Sequence, residues 1–157
     1  MTAKELIKLL ELEPLAMEGG YFRRNYCSSE VTPSGKPAGT AIYFLLTPDT
    51  FSCLHKLPTD EVYHFYLGDP VELTLLYPDG HGETVTLGKE LHQGMAVQCV
   101  VPADVWQGSR LAEGGTWALL GTTMAPGFEY EDFVAGDPQE LIKSHPSFTD
   151  EIQRLTR

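Results

Sequence analysis

The sequence predicts an all-β domain with short helices at both ends. Between Tyr21 and Ala125, short segments rich in valine, threonine, leucine and aromatic residues alternate with turn signals. No helical pattern separates these segments, which argues against a βαβ sheet and favours a sandwich or a barrel. The length of 157 residues fits one domain, which we expect to span residues 1–157.

The first predicted element is an amphipathic helix over roughly residues 3–12. Thr2 followed by Glu5 is a capping-box pattern, in which each side chain accepts a hydrogen bond from the backbone of the other residue. Leucines then recur at helical spacing. Pro14 disfavours helical backbone in the residue before it, so the helix should end ahead of it.

The middle region is predicted to form strands separated by glycine- and proline-rich turns. The turn "PDGHG" between Tyr77 and Glu83 is typical of a hairpin. The predicted strand segments are, in order, "YFRRNYC", "TAIYFLL", "FSCLHKL", "EVYHFYLG", "VELTLLY", "ETVTLG", "MAVQCVVP", "WQGSRL" and "TWALLGTTM".

Two short helices are predicted at the end of the chain. Asp137 is a good N-cap, and Pro138 suits the first helical position of the segment "PQELIKSH". A second helix is expected over roughly residues 146–155, with Ser147 in the capping position.

Composition and charge restrict the class of partner. The formal net charge of −11 would repel a phosphate backbone, so we expect no binding to nucleic acid. Three scattered cysteines without CxxC spacing do not indicate a disulfide framework. No apolar run approaches the length of a membrane span, and charged residues interrupt the beginning of the chain. We therefore expect a cytoplasmic protein with no membrane partner.

The stretch "HKLPTDEVYHFYLGDP" contains the residues best suited to chemistry. Because side chains alternate along a strand, Glu61 and Tyr63 share one face and His64 lies on the other. His55 belongs to the preceding strand. If the two strands pair around the "PTD" turn, His55 and Glu61 meet inside the barrel, while His64 should point away from that cavity.

The same stretch resembles the first motif of the cupin superfamily. That motif normally reads His-x-His, then Glu, then Gly, and its two histidines and glutamate bind a metal ion. His55 and Glu61 occupy the matching positions, but Leu57 stands where the second histidine is expected. In the second cupin motif a histidine follows a proline by five residues, and Gln107 follows Pro102 at that spacing.

A narrower resemblance covers nearly the whole chain. The motifs "EGGYFR", "TAIYFLL", "DEVYHFYLGDPVEL", "YPDG", "VTLG", "VVPADVWQGS" and "APGFEYEDF" occur in this order. Together they resemble the uncharacterised cupin family, the fifth cupin subgroup, whose members carry a domain of unknown function. The resemblance implies a double-stranded β-helix (jelly roll), a homodimer, and a pocket in the mouth of the barrel. It implies no particular substrate.

The two replaced ligands argue against a tightly held cofactor. A metal in this pocket would have to use His55, Glu61 and Gln107, and an amide oxygen is a weak donor for zinc or iron. We expect no cofactor, and at most a weakly bound divalent metal.

Three functions remain open for the pocket. In the first, the protein is a metal-free isomerase or epimerase of a small polar molecule, with His55 as general base, Glu61 tuning it, and Tyr63 or Tyr43 as proton donor. The second is a non-catalytic metabolite-binding module, and the third is a metal-dependent cupin enzyme. The residues expected to bind the ligand are Gln107, Tyr43, Gln98, Arg23 and Trp117.

Overall fold

The computed structural model describes residues 1–157, and it contains two antiparallel sheets. The strands are β1 (Glu13–Pro14), β2 (Tyr21–Cys27), β3 (Thr40–Leu46), β4 (Phe51–Lys56), β5 (Glu61–Gly68), β6 (Val71–Leu76), β7 (Gly82–Leu87), β8 (Gln98–Val101), β9 (Trp106–Leu111), β10 (Ala118–Met124) and β11 (Val134–Ala135). The sheet orders are β1-β2-β3-β10-β5-β8 and β11-β4-β9-β6-β7. The predicted all-β jelly roll is confirmed, and its main strands fall within the predicted limits.

The core lies between the two sheets. Phe44 and Leu120 of the first sheet and Leu73 and Leu75 of the second belong to one cluster of buried residues. These residues alternate with outward-facing neighbours, as the period of two requires. The interior is therefore mostly apolar, which makes any polar side chain that faces it stand out.

The three helices are α1 (Ala3–Leu9), α2 (Pro138–Ser144) and α3 (Thr149–Arg154). The predicted capping box of α1 and the Asp137 cap of α2 are both present. None of the helices is long and apolar enough to cross a bilayer.

Two helix boundaries differ from the prediction. Helix α1 ends at Leu9, and at Glu11 the backbone takes a positive φ of 54°, which a right-handed helix cannot contain. Helix α3 begins at Thr149 because Pro146–Phe148 forms a separate 3₁₀ turn. Ser147 therefore lies inside that turn and does not cap the helix.

A β-bulge in β4 changes the set of residues that face the interior. Ser52 lies opposite Ser109 of β9, and His55 lies opposite Gln107, so three steps along β4 match two steps along β9. Because residues directly opposite one another share a face of the sheet, all four belong to one face. The bulge thus lines up four polar residues in the second sheet.

Two backbone N–H groups at the bulge bond outside the sheet. The Cys53 N–H donates to Glu18 O at 2.9 Å, and the Leu54 N–H donates to Leu155 O at 2.7 Å. A bulge leaves such groups without a ladder partner, and buried N–H groups require one. The loop before β2 and the segment after α3 are therefore tied to β4 beside His55.

Strands β4 and β5 do not pair, although the sequence argument allowed them to. Strand β4 lies in the five-stranded sheet and β5 in the six-stranded sheet, so the "PTD" link crosses between sheets. His55 and Glu61 consequently project into the interior from opposite sheets. They come together because the two sheets pack face to face, and not because β4 and β5 form a hairpin.

Candidate functional site

A cavity opens into the space between the sheets. The volume open to the centre of a water molecule is about 40 Å³, and the empty space between the lining atoms, including the mouth, is about 480 Å³. This cavity suits a small or slender molecule. It is lined by Leu15, Glu18, Phe22, Arg24, Thr40, Ile42, Leu57, Glu61, Thr122, Met124, Phe128 and Tyr130.

Glu61 is the buried acid of the cavity wall. Its side chain projects from β5, the residue is only 7% exposed, and its Oε2 atom makes no hydrogen bond. Burial and then the charge of Glu18 raise its pKa to about 7, while His55 opposes the shift. The Thr122 and Gln107 side chains also oppose it, although neither completes a hydrogen bond to Oε2. The carboxyl can therefore hold or release a proton near neutral pH.

Glu18 is the second acid of the wall, and the sequence analysis did not identify it. Its Oε1 accepts a hydrogen bond from Ser52 Oγ at 2.5 Å. The two glycines that follow have φ of +116° and +72°. A Cβ on Gly19 would collide with Phe51 O, so only glycine lets the chain turn here. The one signal in the sequence was an acid directly before "GG", which predicted a turn only.

His55 is almost fully buried at 1% exposure and is not among the residues that line the cavity. Its Nδ1 lies 2.7 Å from Cys53 O, and because a carbonyl only accepts, Nδ1 carries a proton. Its Nε2 faces Glu18 Oε2 at 3.9 Å. The ring stacks on Phe133 with centroids 4.9 Å apart. His55 therefore does not contact the cavity directly, but it faces Glu18, which lines the cavity.

Gln107 and Ser109 are the two residues of β9 among the four polar residues that the bulge aligns. Gln107 is 1% exposed and Ser109 is fully buried, and neither Gln107 Oε1 nor Ser109 Oγ has a hydrogen-bond partner. An unsatisfied buried polar atom costs about 1–3 kcal/mol. Together with Glu61 Oε2, these atoms leave the interior with hydrogen-bonding capacity that a polar ligand or water would use.

Tyr63 lies two residues beyond Glu61, on the same face of β5, and is buried. Burial and then the charge of Glu61 raise its pKa well above the usual range, so the phenol stays protonated. The structure therefore brings together His55, Glu61, Tyr63 and Gln107 from the predicted set, but only Glu61 of these four lines the cavity.

His64 and Gln98 lie on the outer face of the six-stranded sheet. His64 Nε2 is 3.0 Å from Thr123 Oγ1, and its Nδ1 is 3.4 Å from Gln98 Nε2 across the β5–β8 pair. Alternation predicted this orientation for His64. Gln98 lies opposite His64 in the β5–β8 pair, so its side chain also points away from the cavity.

Three other residues predicted to bind the ligand also lie outside the cavity. Tyr43 and Trp117 pack against the apolar cluster under α1. Arg23 pairs with Glu11 at 3.0 Å on the surface. Side chains alternate along β2, so Arg23 points outward while the neighbouring Arg24 points inward.

The segment "GFEYEDF" covers the mouth of the cavity. Phe128 and Tyr130 line the opening. The Phe128 N–H donates to Thr40 Oγ1 at 2.9 Å, and Arg24 Nη2 donates to Phe128 O at 3.0 Å. The sequence predicted that this segment covers the barrel wall, and it gave no signal that two of its aromatic rings form the entrance.

The side chains present do not fit a tightly held transition metal. Among the described residues no three His, Cys, Asp or Glu side chains converge on one point. Leu57 occupies a position in the cavity wall and offers no donor atom. Such metals need three or four well-placed N, O or S ligands.

We therefore predict that the purified protein holds less than one transition metal ion per chain after dialysis. Elemental analysis by mass spectrometry would measure zinc, iron, manganese and nickel. The double substitution Leu57→His with Gln107→His restores the cupin ligand pattern and should raise the metal content. Stoichiometric metal in the unmodified protein would contradict the prediction.

Comparisons with known proteins identify relatives over most of the chain. The model of a family described as "Cupin superfamily (DUF985)" matches residues 4–135. The uncharacterized protein YML079W of Saccharomyces cerevisiae is 30% identical over an alignment of 142 residues, and the match covers 78% of this chain and 70% of the yeast protein. The crystal structure of protein SO0799 from Shewanella oneidensis is 32% identical, with a TM-score of 0.93, and the match covers 100% of this chain and 98% of that one.

More distant structures share the fold alone. Oxalate decarboxylase from Bacillus subtilis is 16% identical, with a TM-score of 0.58, and the match covers 88% of this chain and 35% of that one. An identity this low supports no transfer of activity. The relatives thus supply a family and a fold, and the reaction has to be argued from the cavity.

Proposed function

The chain belongs to the DUF985 family of the cupin superfamily, and from that premise we propose that it binds a small polar molecule in the cavity and moves a proton on it. Isomerases and epimerases are the enzymes whose chemistry consists of such a transfer. One observation carries the proposal: Glu61, a nearly fully buried acid, lines the cavity and has a carboxyl oxygen without a hydrogen-bond partner.

Glu61 is the group that would exchange a proton with the substrate. Its ionised carboxyl would remove a hydrogen, as a proton, from a carbon next to a carbonyl group. The electron pair left on that carbon moves onto the carbonyl oxygen to give an enolate. Return of a proton to the other face of that carbon completes an epimerisation. Where the same carbon bears a hydroxyl group, transfer of the hydroxyl proton to the enolate oxygen and return of a proton to the former carbonyl carbon complete an isomerisation. A pKa of about 7 suits both directions of the transfer.

His55 and Glu18 act on the pKa of Glu61, and neither is the group that exchanges a proton with the substrate. The His55 ring cannot turn freely, because Nδ1 is bonded to Cys53 O and one face stacks on Phe133. Glu18 raises the pKa of Glu61, and His55 lowers it. Burial is the main cause of the raised pKa of Glu61, and the two neighbouring residues adjust it in opposite directions.

Hydrogen exchange tests the proposal. The protein is incubated in deuterated water with a panel of small hydroxycarbonyl compounds and sugars, and proton NMR follows each carbon-bound hydrogen next to a carbonyl. Loss of one such signal beyond the protein-free rate supports proton transfer. A compound that binds without exchanging any hydrogen, across the whole panel, would favour the alternative of a non-catalytic metabolite-binding module.

We also propose that the protein forms a homodimer through the outer face of the β5–β8 pair. Strand β8 is at the edge of its sheet, and an edge strand is open to pairing with another chain. The outward residues Val62, His64, Gln98 and Val100 include no acid, in a chain of net charge −11. These four residues therefore add no charge repulsion when two copies approach through this face.

Val100→Asp is expected to convert the dimer into a monomer. Val100 is 54% exposed, so the substitution costs the isolated chain little, while in a symmetric contact it would place two like charges together. Light scattering at micromolar concentration measures the mass. Leu91→Asp is the matched control, since Leu91 is 59% exposed outside this face. A monomeric unmodified protein would remove the proposal.

A further inference from the structure

Arg24 lines the cavity and makes no ion pair. Its only hydrogen bond joins Nη2 to Phe128 O at 3.0 Å. No carboxylate lies within salt-bridge distance, although the chain has 22 acidic residues. The adjacent Arg23 is paired with Glu11. A guanidinium has five N–H donors, so most of the donors of Arg24 are free for a ligand.

The backbone directs Arg24 toward the interior. In the β2–β3 pair, Phe22 lies opposite Phe44 and Arg24 lies opposite Ile42. Phe44 belongs to the core between the sheets and Ile42 packs against it. Arg24 is therefore on the inner face of the sheet, with its charged end beside the aromatic rings of the mouth.

The other end of the cavity, at β5 of the same sheet, has the opposite character. Glu61 is more than nine-tenths buried, and its Oε2 has no partner. Thr40 of β3 and Thr122 of β10, the two strands between β2 and β5, also line the cavity. A hydroxyl group both donates and accepts hydrogen bonds, so it can pair with Glu61 whether the carboxyl is ionised or protonated. An ammonium group only donates, so it pairs with the ionised form alone.

From these two ends we infer that the ligand is a small hydroxylated organic anion, with its carboxylate or phosphate on Arg24 and a hydroxyl on Glu61. This inference rests on the proposed function, because it names the substrate class of the same cavity. The orientation follows from charge: Glu18 and Glu61 would repel an anionic group, which leaves only the Arg24 end for it. The apolar walls between them would contact the carbon chain.

Four small probes separate the contributions of the two ends. Glycerate carries a carboxylate and hydroxyls, glycerol lacks the charge, aminopropanediol reverses it, and propionate lacks the hydroxyls. Saturation-transfer NMR at millimolar concentration measures binding of each to the full chain. Glycerate should bind at least tenfold more tightly than the other three, and its binding should weaken as salt is added.

Arg24→Gln should lower glycerate affinity at least tenfold and leave glycerol binding unchanged. Arg23→Gln is the matched control, since it removes the same charge one residue away on the outer face. The inference is wrong if glycerate binding survives Arg24→Gln, if glycerol or aminopropanediol binds as well as glycerate, or if none of the probes binds.

Failure of the anion site and failure of the proposed proton transfer would give different results in these experiments. Arg24-dependent binding of glycerate without hydrogen exchange on any compound would sustain the anion site and remove the proton transfer. Exchange that requires Glu61 but proceeds equally in the Arg24→Gln variant would do the reverse. Thermal unfolding of both arginine variants, compared with the unmodified chain, establishes that each is folded.

Discussion

Glu61→Gln should reduce proton exchange on the substrate at least about a hundredfold while the fold is retained. An amide has nearly the shape of the carboxyl, so it can keep the packing, but it cannot accept a proton from carbon near neutral pH. A positioned general base contributes about 10²–10⁴-fold to a rate. The exchange assay in deuterated water gives the rate directly, and an unchanged rate would exclude Glu61 as the proton-transfer group.

The same substitution should also change how stability depends on pH. The pKa of Glu61 is raised from 4.5 to about 7 in the folded state, so the folded chain binds the proton more tightly than the unfolded chain. The free energy of unfolding therefore falls as the pH rises from about 4.5 to about 7, by roughly 3 kcal/mol at 1.36 kcal/mol per pKa unit. Above that window the loss is complete.

Urea unfolding of the two proteins at pH 4 and pH 8 measures this effect. Glu61→Gln removes the titrating group, so the variant should gain relative stability at pH 8 and show little difference at pH 4. Asp69→Asn is a useful control, because Asp69 is a surface acid whose pKa is lowered by hydrogen bonds from Thr116. Its removal should act in the opposite direction, costing stability at pH 8.

Gly19→Ala should be the most destabilising single-methyl change in the loop before β2, at about 3–5 kcal/mol, because backbone strain and overpacking each cost about 1–3 kcal/mol. The φ of Gly19 is +116°, in a region that is open essentially to glycine alone. Its new Cβ would also collide with Phe51 O, a backbone atom that cannot move without disturbing β4. Because Glu18 precedes this glycine, the cavity should lose its second acid as well.

Gly35→Ala is the matched control for that experiment. Gly35 also has a positive φ, of +86°, but a Cβ there would meet open space. We expect a loss of about 1–2 kcal/mol from the backbone conformation alone. Urea midpoints at constant slope compare the two variants. Equal losses would mean that the contact with Phe51 is unimportant and that only the backbone conformation matters.

Strand alternation correctly predicted the direction of some side chains in the candidate site but not of others. Alternation placed Glu61 and Tyr63 inside and His64 outside, because side-chain direction in a regular strand depends only on position along it. It gave no indication that Ser52 joins His55 on one face, because a β-bulge shifts the register by one residue. Nothing in the local sequence distinguishes the bulged pair Cys53–Leu54 from an ordinary strand.

The choice among neighbouring arginines was equally beyond the sequence. Arg23 and Arg24 are identical side chains at adjacent positions, so they must face opposite ways, but which one faces inward depends on the pairing of β2 with β3. The predicted ligand contacts Tyr43, Gln98 and Arg23 lie outside the cavity for the same reason, and Trp117 lies just before β10. Their strands were predicted, but the faces those strands turn to the interior were not.

The sequence by itself determined the strand-rich middle, the capped helices at the ends and the family motifs, because turn chemistry, capping and side-chain period are local properties. Only the tertiary structure decided which polar residues meet. Glu18 comes from a loop, Arg24 and Glu61 from two non-adjacent strands, and Phe128 from a distant segment. The packing of two sheets brings these groups to one cavity, and the low dielectric between the sheets gives Glu61 its proton affinity.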